Sequence, residues 1–225
     1  MPTAVDESPR TERAGKAMRG VIGKRTAAVG AACVLMAGAV FGYVEVFTKG
    51  IDRLPERPCG GAVDRGLAAD ALPSAGKAEE RGRLNTRSDG DFLFACYVRT
   101  ADSTISGEAQ TGGATEAEWR EAHRSDLGEG AVQVSEGGVR ALALPTVAWV
   151  YVPCTPRRFT EKTRRPHSLT VEARTIGETG LHGDALRQVV LDFAYQLARH
   201  SYGAGECQEQ RKFSEELPRI GSNQP

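Results

Sequence analysis

Residues 147–154 read Val-Ala-Trp-Val-Tyr-Val-Pro-Cys, and they decide the fold. Six consecutive apolar residues, most of them β-branched or aromatic, predict the strongest strand of the chain. The segment 168–174 alternates apolar and polar residues, which predicts a second strand with one side in water. The chain is therefore expected to contain a sheet that meets solvent over part of its surface.

Similar patterns predict further strands and helices around these two segments. Strands are expected at Arg83–Arg87, Phe92–Val98, Ser103–Gln110, Ala131–Ser135 and Val139–Leu144. Helices are expected at Ala62–Leu72, from Thr115 to His123, and from Asp184 to Gly203. Thr115 and Glu118 have the spacing of a capping box, and Asp184 is the expected N-cap of the last helix. The predicted fold class is α+β, an antiparallel sheet with its helices packed on one face.

Toward the N-terminus, residues 26–47 form a long apolar run in which Glu45 is the only charged residue. About 20 apolar residues in a helix span a bilayer core of roughly 30 Å, so the run predicts a single transmembrane helix in contact with lipid. Six Lys and Arg residues precede the run, and three follow it before Pro58. This excess places the N-terminus in the cytoplasm and the rest of the chain outside.

Two other interpretations fit parts of the apolar run. Ala37-Gly38-Ala39 has the pattern of a signal-peptide cleavage site, and Cys33 follows small residues as a lipidated cysteine would. The uncleaved anchor is favoured because the run continues past the first site. Too little apolar sequence precedes Cys33 for the second.

These boundaries divide the chain into five expected segments. Residues 1–25 are charged and lack a hydrophobic period, so they are expected to be a disordered cytoplasmic tail. Residues 26–47 are the transmembrane helix, and residues 48–58 are a charged stalk. Residues 59–207 are the extracytoplasmic α+β domain, and the polar residues 208–225 are a second disordered tail.

Four cysteines lie outside the apolar run, at Cys59, Cys96, Cys154 and Cys207. An even number in an oxidising compartment predicts two disulfides. Three pairings are open, and Cys59–Cys96 with Cys154–Cys207 is preferred because each bridge then closes one half of the domain. The chain has no C-x-x-C and no Cys and His pair at ligand spacing, so no metal, cofactor or thioredoxin-like activity is expected.

Several short motifs follow one another along the chain in an order that resembles a known class of proteins. Cys59-Gly60-Gly61 follows the apolar run, and later segments read Phe94-Ala95-Cys96-Tyr97-Val98-Arg99 and Val150-Tyr151-Val152-Pro153-Cys154. With a last helix that ends just before Cys207, this layout resembles uncharacterised single-pass surface proteins of high-GC bacteria over most of the chain. The resemblance implies a first pair and a last pair of cysteines. It implies no activity and no functional residue.

A basic cluster lies between Pro156 and Pro166, with Glu161 as its only acid. Its members are Arg157, Arg158, Lys162, Arg164 and Arg165. The cluster predicts an anion-binding loop, for which lipid head groups, an anionic wall polymer or an acidic protein are candidate partners. A solvated loop between two strands is the alternative.

No catalytic motif is present. The chain lacks a G-x-S-x-G elbow, a phosphate-binding loop, an H-E-x-x-H and a dinucleotide fingerprint, so no catalytic residue is predicted. The 29 basic and 29 acidic residues balance, which argues against nucleic acid as a partner. The favoured function is a non-enzymatic binding or accessory module for an envelope protein or an anionic surface polymer. The alternative is an envelope hydrolase that joins a Ser or Asp with His167 or His182.

Overall fold

The described part of the chain falls into two units. The computed structural model describes residues 33–86, 92–126, 128, 130–157 and 167–221. Its two compact units are Met1–Val46 and Phe47–Pro225. The predicted tail 1–25 and most of the basic loop therefore lie outside the described residues.

Residues 33–47 are helical and form helix α1. Its large apolar side chains, from Val34 to Phe47, are 41–74 % exposed. Among the described residues, no helix combines the length and the apolar character needed to cross a membrane. Part of the predicted span 26–47 lies before the first described residue.

The second unit is built on one antiparallel sheet of seven strands. The strands are β1 (Glu79–Thr86), β2 (Phe92–Arg99), β3 (Ser103–Gly112), β4 (Val132–Glu136), β5 (Val139–Ala143), β6 (Val147–Pro153) and β7 (Ser168–Gly177). Their order across the sheet is β1-β2-β3-β7-β6-β5-β4. The predicted strands and the α+β class are confirmed, with β1 starting earlier than its pattern indicated.

Four helices and one 3₁₀ turn complete this unit in the described residues. They are the turn at Ile51–Arg53, α2 (Pro58–Gly61), α3 (Arg65–Ala71), α4 (Glu116–Ala122) and α5 (Gly183–Ala204). The capping box is confirmed, because the Glu118 N–H donates to Thr115 Oγ1 at 3.1 Å and the Thr115 N–H donates to Glu118 Oε2 at 2.8 Å. The N-cap of α5 is His182 and not Asp184. Asp184 lies in the first turn, where a carboxylate favours the helix through its dipole.

The main core lies between α5 and one face of the sheet. The predicted apolar stripe of α5 is buried there, together with Ala148, Val150 and Val152 of β6. Gly107 of β3 permits the close approach, since a Cβ at that position would lie 2.7 Å from Leu197 Cδ2. Each large apolar side chain buried here contributes about 1.5–3 kcal/mol. This face is therefore the main source of stability.

Helix α4 packs on the opposite face, which corrects the prediction that the helices share one face. Trp119 of α4 joins Leu142, Trp149 and Tyr151 in a second apolar cluster. On β6 these aromatic residues alternate with those of the main core, so β6 is buried on both sides. Trp119 is the only buried residue of this short helix, so its sequence carried no apolar stripe that would reveal its face.

The two disulfides are Cys59–Cys96 and Cys154–Cys207, the preferred pairing. The first crosses β1 at Gly82, where a Cβ would lie 2.7 Å from the Cys59 carbonyl carbon. The sequence separations are 37 and 53 residues. In the chain-entropy model, each bridge stabilises the domain by about 4 kcal/mol.

Residues 48–58, expected to be a stalk, pack against the domain. Ile51 is 5 % exposed and belongs to the main core. The Gly50 N–H donates to the Ala75 carbonyl at 2.6 Å. The charges around Ile51 hid this contact in the sequence, and the compact unit begins at Phe47.

The segment 208–225, expected to be a disordered tail, also differs from its prediction. Its described part, residues 208–221, returns along the domain. Leu217 is 3 % exposed within the main core, and the Tyr195 hydroxyl donates to the Ser214 carbonyl at 2.9 Å. Polar and charged neighbours surround this buried leucine, so overall composition concealed it.

Candidate ligand-binding groove

The face of the sheet opposite α5 carries a groove beside α4. Its floor comes from β3, β7 and β6, because their register places Glu108 opposite Glu172 and Glu172 opposite Trp149. Thr170 and Arg174 share this face, since alternate residues of β7 point to the same side. One polar surface therefore combines two carboxylates, a guanidinium and an aromatic ring.

Two neighbours hold Glu172 in place. Trp149 Nε1–H donates to Glu172 Oε2 at 3.2 Å. Arg174 forms an ion pair with Glu172 Oε1. With both oxygens engaged, the Glu172 carboxylate has its orientation set within the fold and is not itself an open acceptor.

Glu108 is the open acceptor of the floor. Its side chain is exposed, and within the described residues it makes no hydrogen bond and no ion pair. Like charges that face each other on antiparallel strands are destabilising. A cation beside Glu108 would offset the repulsion between the Glu108 and Glu172 carboxylates. The floor therefore favours a positively charged group.

Helix α4 forms a wall of the groove and is fixed at both ends. Arg140 Nε on β5 donates to Glu116 Oε1 in the first turn at 3.1 Å. The Trp119 and His123 rings lie 5.5 Å apart, and the His123 and Trp149 rings lie 4.7 Å apart. These contacts fix the position of the wall relative to the floor.

The groove has the size of a ligand site and contains an unused donor. Its volume is about 580 Å³, within the range of roughly 300–1,000 Å³ seen for such sites. Trp119 lines it and is 4 % exposed, and among the described residues its Nε1–H has no acceptor. A buried donor left unpaired costs about 1–3 kcal/mol. The Nε1 atom is itself covered by the fold, so a carbonyl or carboxylate oxygen of a ligand would supply the missing partner after a shift of the Trp119 ring.

Tyr151 lies beneath α4 as a neutral donor. Its hydroxyl donates to the Ala114 carbonyl at 3.4 Å. Burial raises the pKa of Tyr151, and the nearby Glu116 and Glu118 raise it further. The phenol therefore stays protonated at neutral pH, and no further negative charge develops behind the wall.

Of the predicted site residues that the structure describes, Cys96 lines the groove, and Cys59, Cys154, Cys207 and Arg157 do not. The four cysteines form the two disulfides described above. Arg157 is exposed, and its backbone N–H donates to the Glu206 carbonyl at 3.1 Å. The other members of the basic loop, Arg158, Lys162, Arg164 and Arg165, lie outside the described residues. An anion site in this loop stays a prediction.

The two histidines of the predicted hydrolase, His167 and His182, do not line the groove. His182 is the N-cap of α5, and His167 precedes β7. His200 packs on Phe94 with ring centroids 5.0 Å apart, and burial lowers the pKa of His200. Of the four histidines, His123 lines the groove.

Sequence analysis did not single out the floor of the groove. The alternation over 168–174 did indicate that Thr170, Glu172 and Arg174 share a wet face. Their neighbours on β3, however, are separated from β7 by α4 and three strands. Alternation alone does not give that pairing. Across the described residues, no group of three or more His, Cys, Asp or Glu side chains is placed to hold a metal ion.

Comparison of the chain with protein-family models, with curated proteins and with solved structures finds no match.

Proposed function

We propose that this chain is a membrane-anchored extracytoplasmic binding module that holds a short amine-bearing ligand, the end of a peptide, in the groove beside α4. One observation carries the proposal. The groove brings together an acceptor that lacks a donor, the Glu108 carboxylate, and a buried donor that lacks an acceptor, Trp119 Nε1–H, among the described residues. The module binds and does not catalyse.

A ligand with both an ammonium group and a carbonyl oxygen satisfies both groups. The ammonium would form a charge-assisted hydrogen bond with Glu108 and would offset the repulsion from Glu172. After a shift of the Trp119 ring, whose Nε1 atom is covered by the fold, the carbonyl would accept from Trp119 and remove the penalty of an unpaired donor. A peptide of an envelope protein or of the cell wall offers both groups. An anionic polymer does not suit a floor with two carboxylates.

Three features support the membrane anchor and the outside location. The two disulfides are typical of oxidising compartments. The exposed apolar side chains of α1 belong to the run 26–47, and a bilayer would cover them. The basic residues before this run favour a cytoplasmic N-terminus. Alkaline carbonate extraction tests the anchor, because an anchored chain stays in the membrane pellet and a peripheral one is released.

Tryptophan fluorescence tests the groove directly. The chain has two tryptophans, Trp119 and Trp149, and both line the groove. The oxidised full-length chain in detergent micelles would be titrated with the tripeptide Lys-Ala-Ala. A saturable change in emission is expected. Glu108→Gln keeps the side-chain shape and should weaken binding roughly 10- to 100-fold, since a hydrogen bond to a charged group contributes about 1.5–3 kcal/mol.

Glu178→Gln is the matched control. It removes the same charge just after β7, at an exposed position that does not line the groove. Its affinity should equal that of the wild type. If Glu108→Gln binds as tightly as the control, the proposed site is wrong. A tripeptide that mass spectrometry shows to be cleaved or modified during the titration would contradict the non-enzymatic role.

A further inference from the structure

A second pocket lies where the chain enters the domain. It is formed by the 3₁₀ turn, the start of β1 and the end of β2, and its volume is about 600 Å³. Its lining includes Leu54, Ala78 and Ala101, which make part of its wall apolar. Leu54 and Ala78 also pack against the main core, so this wall is a fixed part of the fold.

The charged groups of this pocket are predominantly basic. Arg53, Lys77 and Arg99 line it together with one acid, Glu79. Arg99 pairs with Glu79, and Arg53 Nη1 donates to the Gly76 carbonyl at 3.4 Å. The exposed Lys77 makes no hydrogen bond or ion pair within the described residues. An anion in the pocket would therefore find a net positive field, including one ammonium that is not already engaged.

The position of the pocket along the chain connects it to the proposed anchor. The compact unit begins at Phe47, the last residue of the apolar run, and Gly50 lines the pocket. Three residues extend at most about 11 Å. Because residues 48–58 pack against the domain, no free stalk in this described segment holds the pocket away from the end of the run. In an anchored chain, Gly50 is therefore at most about 11 Å along the chain from the end of the span, a distance that leaves the pocket within reach of lipid head groups.

We propose that this pocket binds the phosphate of an anionic phospholipid in the outer surface of the anchoring membrane. Arg and Lys side chains are the usual protein partners of phosphate oxygens. The apolar wall would receive the glycerol and the first carbons of the acyl chains. The inference rests on the anchor of the proposed function and is independent of the groove.

Native mass spectrometry of the full-length chain in detergent tests the pocket with defined probes. Phosphatidylglycerol and phosphatidylcholine would be added separately, and the bound fraction would be measured against concentration. The wild type is expected to saturate at one phosphatidylglycerol per chain and to show weaker binding of phosphatidylcholine. The double variant Arg53→Gln with Lys77→Gln should bind phosphatidylglycerol about 10- to 30-fold more weakly, because each basic group near an anionic lipid contributes about a factor of five.

Lys212→Gln is the matched control, because Lys212 is an exposed lysine that does not line the pocket. It should leave phosphatidylglycerol binding unchanged. Circular dichroism would check that the double variant is folded, and Lys77→Gln alone, at an exposed position, gives the result if it is not. Equal binding by wild type and pocket variant overturns the inference. Displacement of the lipid by an equal concentration of inorganic phosphate also overturns it, since the ligand is then free phosphate.

The anchor is measured separately by carbonate extraction. A chain that carbonate releases, but that still selects phosphatidylglycerol through Arg53 and Lys77, refutes the anchor and not the pocket. A chain that stays in the membrane pellet without selecting this lipid refutes the pocket and not the anchor.

Discussion

Replacing Leu217 by alanine should destabilise the domain by about 2–5 kcal/mol, the range measured for buried leucines. Leu217 is 3 % exposed and contacts the main core. A leucine in a frayed polar tail would instead lose less than about 0.5 kcal/mol on the same change. The loss of unfolding free energy expected for a packed segment is therefore at least four times the loss expected for a frayed tail.

Urea unfolding of the oxidised full-length chain in detergent, followed by tryptophan fluorescence, measures this difference. With a slope of about 2 kcal/mol per molar urea, the midpoint should fall by about 1–2.5 M. Leu84→Ala is the control, because Leu84 is 49 % exposed and its truncation should remove about 1 kcal/mol or less. If Leu217→Ala shifts the midpoint no more than Leu84→Ala, the packing of the C-terminal segment described above is wrong.

Three further predictions concern the stability of the domain. Gly82→Ala should lower the free energy of unfolding by about 1–3 kcal/mol, because its Cβ would meet the Cys59 backbone at 2.7 Å. Gly66→Ala, in open space on α3, should raise the free energy of unfolding by about 0.5–1 kcal/mol. Equal effects of the two substitutions would contradict the close crossing. Burial lowers the pKa of His200, so the native state binds fewer protons than the unfolded state below about pH 6.5. Stability should therefore decrease as the pH is lowered below this value, and His200→Gln should make that decrease smaller. Burial raises the pKa of Asp192, because desolvation disfavours the charged carboxylate. The contribution of the protonated side chain to stability is therefore lost as the pH rises through the raised pKa. Asp192→Asn should raise the melting temperature at pH 7, and an unchanged or lower melting temperature would refute this reasoning.

Local patterns predicted those elements whose neighbours in space are also neighbours in sequence. The alternation in 168–174 matches the burial pattern of β7, and the Thr115 capping box spans four residues of sequence. Sequence patterns did not predict the distant contacts that depend on only a few residues. Among the described residues, Trp119 is the one buried residue of α4, and Leu217 is the one buried apolar residue of 208–221. The groove floor depends on the register of β3 with β7, which neither strand encodes by itself.

The strand order also has a consequence for how the domain is assembled. Strands β1 to β3 pair in chain order, and so do β4 to β7, while the β3–β7 ladder joins the two groups. The bridge Cys59–Cys96 belongs to the first group, so it can close before the second group exists. During synthesis, β3 then presents an open edge until the 65 residues from Gly112 to Gly177 have followed, which takes roughly 3–13 s at about 5–20 residues per second. For that interval, the edge of β3 is the place where a folding factor would protect the nascent chain and where a second copy would mispair.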